Sequence, residues 1–164
     1  MNIEIIRRAY EAIGDKTPLE SDCGALCSAA CCFTDEDDQG GVNLLPGEEK
    51  QLENIDWGVI HPQQPGWIAP MLECTGPCDR DKRPLGCRIF PLTPVIGKKG
   101  DWTVRMDVRA RPMCPLCASG VKGLDIEFVR AARDAIRIIA ETPEGDEFLN
   151  KWAELEDAFR TQLW

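Results

Sequence analysis

The sequence predicts an α+β fold, mainly α: short helices and one β-hairpin around a cysteine-rich middle, closed by a helical hairpin at the C-terminal end. Three observations lead there. Apolar residues recur at helical spacing at both ends of the chain. A glycine-bounded turn separates two runs with strand character at residues 88–108. Nine cysteines fall in three runs in the part between. The 164 residues read as one domain, 1–164, with a cysteine-rich core over 21–120 and the helical hairpin over 121–164.

Taking the elements in order, Asn2 is placed to cap a first helix whose stripe is Ile5, Ile6, Ala9 and Ile13, with Gly14 as its stop. Thr17-Pro18 begins an irregular link. Ser21 or Asp22 then caps a short helix through Cys23–Cys31. Residues 35–41 read as a solvated acidic loop, Val42–Leu45 as a short apolar piece, and 47–54 as a helix started by Pro46. The stretch 56–83 is rich in proline and glycine and reads as loop, ordered by ligation and covered by Trp57 and Trp67. Residues 88–96 and 102–108 flank Gly97-Lys-Lys-Gly-Asp101. Trp102, Val104, Met106 and Val108 share one face, so the pair reads as a β-hairpin.

Beyond it, Leu124, Phe128, Ala132, Ala135 and Ile139 form one helical stripe. Thr142-Pro143 starts a second helix carrying Phe148, Trp152, Leu155, Phe159 and Leu163, and the two are expected to pair antiparallel.

Nineteen basic and 28 acidic residues leave a formal charge of −9, the wrong sign for a nucleic-acid surface. The opening Met1–Tyr10 has no apolar signal core, and no stretch has the length of a membrane span. The expectation is a cytoplasmic chain with reduced thiols. Nine is odd, so a full disulfide framework would strand one of them.

The cysteine runs are Cys23, Cys27, Cys31 and Cys32; then Cys74, Cys78 and Cys87; then Cys114 and Cys117. Clustered thiols at short spacing suit a soft metal, so all nine are candidate ligands. Four thiolates satisfy one structural zinc or one iron–sulfur cluster, and ligand type does not separate the two. On a continuous helix, residues four apart drift by about 40° per step, which sets Cys32 opposite Cys23. All four can serve one centre only if the helix breaks at Cys31–Cys32.

His61 is the sole histidine, a further candidate ligand beside Pro62. Gly97–Gly100 is a turn and not a phosphate loop. Asp35–Asp38 lacks the spacing of a calcium loop.

The string Arg83-Pro84-Leu85-Gly86-Cys87-Arg88-Ile89-Phe90-Pro91, downstream of a run ending in Cys31-Cys32, resembles the CxxCxxCC family of zinc- or iron-chelating proteins. The first run departs from that motif, each gap being one residue longer. The resemblance implies metal ligation by Cys23, Cys27, Cys31, Cys32, Cys74, Cys78 and Cys87, with Cys114 or Cys117 as a trailing cysteine. Arg83 and Arg88 are placed to donate to sulfur around such a centre.

The expected function is metal binding, with a structural or redox role. A relative acts as a flagellin lysine N-methylase, so methyl transfer is the enzymatic alternative, although no glycine-rich nucleotide loop is present. A partner-binding adaptor using the C-terminal helices is the third reading.

Overall fold

The computed structural model describes residues 1–21, 23–32, 41–75, 78 and 80–162. The fold is α+β and mainly α. Its helices are α1 (Ile3–Ile13), α2 (Gly24–Cys27), α3 (Leu85–Ile89), α4 (Ile126–Ile139) and α5 (Pro143–Gln162). Its strands are β1 (Val42–Asn43), β2 (Gly58–His61), β3 (Met71–Cys74), β4 (Leu92–Ile96) and β5 (Trp102–Met106).

Polar side chains start the long helices. Asn2 Oδ1 accepts the Glu4 amide at 3.0 Å, Asp125 Oδ1 the Phe128 amide at 2.9 Å, and Thr142 Oγ1 the Gly145 amide at 3.1 Å. Each satisfies an amide that has no partner within its own helix. Gly14, at φ +48°, ends α1 in a backbone region that favours glycine. The α4–α5 corner also needs glycine, since a Cβ on Gly145 would lie 2.0 Å from the Ile139 carbonyl oxygen.

The main core joins Ala9 and Ile13 of α1 to Phe128, Ala132, Ala135, Ile136 and Ile139 of α4. Phe148, Leu149 and Trp152 of α5, with Leu92 and Trp102 of the hairpin, complete it. The expected antiparallel pairing of the last two helices is redirected. Helix α4 packs on α1 and β5, whereas α5 packs on β4 and the turn at Val108–Ala110. Trp102 is bonded to both helices: its indole N–H donates to Asp146 at 2.7 Å, and its carbonyl accepts from Arg137 at 3.0 Å. The stripe of α5 also fades toward its end, where Phe159 is 40% exposed under the Arg109 guanidinium. Buried Glu156 takes over there, accepting from Arg105, Arg160 and the Val108 amide. Leu163 and residues 35–40 lie outside the described residues, as does Asp22.

The middle departs further from expectation. The stretch 56–83 contains β2 and β3, which join β1 in a three-stranded antiparallel sheet ordered β1-β3-β2. Leu72 lies opposite both Val42 and Ile60. Strands of two to four residues between prolines are too short for alternation to declare itself; pairing with distant chain forms them. Trp57 is buried as expected, with Leu44, Leu52 and Leu72 in a second small core, while Trp67 is half-buried. Residues 47–54 form a single 3-10 turn, Glu48–Gln51, after Gly47 at φ +93°. The hairpin holds, with Pro94 opposite Val104, but it starts at Leu92 because Leu85–Ile89 is helical.

Candidate metal centre

The helix expected over Cys23–Cys31 stops at Cys27. Ser28 and Ala29 follow at φ +53° and +54°, two consecutive left-handed residues that are not glycine. The chain turns there and resumes as a 3-10 turn over Ala30–Cys32. The break therefore comes at Ser28, three residues before the Cys31–Cys32 position that ligation of one centre by all four cysteines calls for. It separates Cys23 and Cys27 from the vicinal pair Cys31–Cys32, whose Sγ atoms are 4.0 Å apart.

The second run reaches the same place from the other side. Cys74 ends β3, and Cys87 sits in the middle of α3. Arg83 Nε donates to Cys78 Sγ at 3.3 Å. A cavity of about 250 Å³ is lined by Cys31, Cys32, Cys74, Cys78 and Cys87 together with Arg83. A neighbouring cavity of about 180 Å³ shares Cys31, Cys32, Cys87 and Arg83, and adds Cys23, Cys27 and Cys114. Eight of the nine cysteines thus border one pair of adjoining cavities.

The thiols feel one another there. Hydrogen bonding from Cys31 draws Cys32 down to about 6, against burial and with help from Arg83. Cys31 moves up in return, as the donor of that bond and through burial. Burial, then the charges of Cys78 and Cys32, push Cys74 up to about 11. Burial and the charges of Cys74, Cys78 and Cys32 push Cys87 up as well. Burial and the neighbouring thiol charges hold Cys74 and Cys87 against ionisation, and a bound cation would remove that resistance. The donor set in this respect fits a soft metal. Among the described residues, however, no three histidine, cysteine or acidic side chains stand close enough to hold one ion as they are arranged.

Arg88 has a different task from the one expected. Its Nε donates to the Arg83 carbonyl at 2.8 Å and its Nη2 to the Asp81 carbonyl at 2.5 Å, and its guanidinium lies 4.3 Å from the Tyr10 ring centroid. It braces the loop that carries Arg83, and Arg83 is the arginine that meets sulfur.

Below it, buried Glu48 accepts from the Tyr10 hydroxyl and from the amides of Leu45 at 2.8 Å and Leu85 at 2.7 Å. That carboxylate ties the first turn of α3, and so Cys87, to α1. Nothing in the sequence marks Glu48 among 28 acids or Tyr10 as its partner, because the contact spans 38 residues.

His61 pairs with Glu73 at 2.7 Å across β2 and β3 and lines neither cavity. Cys117 lines neither cavity and interacts with Cys114. The Asp35–Asp38 run lies outside the described residues. No described helix is long and apolar enough to cross a membrane. Comparison with protein-family models, with curated proteins and with solved structures finds no match for this chain.

Proposed function

We propose that this chain is a cytoplasmic metal-binding protein with a cysteine-ligated centre, zinc or an iron–sulfur cluster, in a structural or redox role. Cys32, Cys74, Cys78 and Cys87 are its ligands. The observation that carries the reading is the set of these four thiols around one cavity that the Arg83 guanidinium also lines, drawn from chain segments 55 residues apart. The resemblance of residues 23–91 to the CxxCxxCC family points the same way.

Arg83 would orient Cys78 and balance part of the thiolate charge, Cys31 would donate to Cys32, and Arg88 would hold the Arg83 loop. When bound, the metal supplies the positive charge that lets the four sulfurs ionise together. A single tetrahedral zinc would require the sulfurs to draw in to about 3.8 Å of one another, whereas a cluster accepts a wider ring.

Anaerobically purified protein should carry stoichiometric metal. A brown colour with broad visible absorption identifies the cluster, and colourless protein with one zinc identifies the ion. A folded chain without metal would overturn the reading. Serine at any of the four positions should abolish retention.

A further inference from the structure

Two thiols outside the four proposed ligands have chemistry of their own. We propose that Cys114 and Cys117 are a redox-active dithiol that exchanges with low-molecular-weight disulfides, separate from the metal ligands. The backbone places them for it. The Cys117 amide donates to the Cys114 carbonyl at 3.1 Å and closes a 3-10 turn begun at Pro115. Such a turn keeps its ends within about 7 Å, against the roughly 4.4–6.8 Å between Cα atoms that a disulfide needs. The two side chains already interact.

Cys114 borders the smaller cavity with Cys32 and Cys87, whereas Cys117 lines neither cavity. Cys32, Cys74, Cys78 and Cys87 feel one another and Arg83. Burial, then Cys114 and Asp107, push Cys117 up to about 11 against the pull of Arg111, which leaves Cys114 as the thiol that attacks first. Asp107 is held by Arg109, Oδ1 to Nε at 3.0 Å and Oδ2 to Nη2 at 2.6 Å. Cys114 lines the smaller cavity, at whose edge Leu26 is 57% and Met113 is 38% exposed. That apolar edge gives an incoming disulfide a surface to rest on.

The balanced sequence is short. The Cys114 thiolate attacks one sulfur of the incoming disulfide, forms a mixed disulfide and releases one thiolate, which takes up a proton equivalent to the one Cys114 lost. The Cys117 thiolate then attacks the Cys114 sulfur, forms the Cys114–Cys117 bond and releases the second thiolate, protonated at the expense of the Cys117 thiol. Two protein thiols are oxidised and one external disulfide is reduced to two thiols.

The test uses the full chain, with and without metal, equilibrated in glutathione buffers of graded potential. Acid quenching, alkylation and peptide mass spectrometry then locate the bonds. The expected result is a reversible Cys114–Cys117 disulfide in both forms. Metal content should be unchanged in Cys114→Ser and in Cys117→Ser. A pair that stays reduced in fully oxidised glutathione overturns the proposal. So does a disulfide from Cys114 to Cys23 or Cys27, or loss of metal in either serine variant. Wild-type mapping needs no variant to fold, and it reads out exchange whether or not the metal assignment stands.

Discussion

The helical body and the thiol-bearing middle are held by different means. The body, α1, α4, α5 and the β4–β5 hairpin, shares one buried cluster of large side chains with capped helices around it. The middle has four buried apolar residues of its own, Leu44, Leu52, Trp57 and Leu72. Leu45, Ala69 and Leu85 moor it to the larger core. These buried side chains are few against the backbone entropy of some 40 residues. The middle instead gathers polar ties around its thiols: Glu48 under α3, Arg88 over Tyr10, and Arg83 on Cys78. The contrast teaches that apolar burial orders the ends of this chain, while the proposed ligation would order the centre.

Breaking the body should have the largest effect. Phe128→Ala removes a fully buried ring and should cost about 3–5 kcal/mol in denaturant unfolding, with both regions lost together. Removing Arg83 should act on the middle alone. Arg83→Ala should weaken metal affinity by about 10–100-fold in chelator competition, with the unfolding midpoint of the helices little changed.

Glu48→Gln sets an amide NH2 among three donors and should cost about 1–3 kcal/mol. Its pH dependence has a definite sign. Burial raises the Glu48 carboxyl, against the pull of Tyr10, the two amides and Arg88. A raised acid contributes most below its unfolded value, 4.5, and loses that contribution as pH rises through the folded value. Wild type should therefore gain on the glutamine variant as pH falls toward 4.5. The smallest effect belongs to the strained turn. Ala29→Gly relieves a left-handed alanine and should stabilise by about 1 kcal/mol, read from chemical unfolding, without touching a ligand.

The same contrast explains what the sequence made legible. Helices α1, α4 and α5 show in their stripes and caps because local periodicity and tertiary burial agree in them. Strands β2 and β3 do not show, because their four residues each acquire meaning only opposite β1 and each other. The partners of α4 and α5 do not show, because the stripe on each helix names a buried face but not the element that buries it. At the site, spacing reveals the thiols and the Arg83 string. The buried Glu48 and the seat of Arg88 on Tyr10 arise from contacts across tens of residues, and the turn at Ser28–Ala29 puts two residues that are not glycine in the left-handed region. No local pattern encodes them.

The most direct test is amide hydrogen exchange on the metal-loaded protein before and after chelation. Protection should fall across residues 42–91 on metal removal, while α1, α4 and α5 stay protected. Equal protection in the two regions with and without metal, or uniform loss across both, would contradict a centre that orders the middle of this chain.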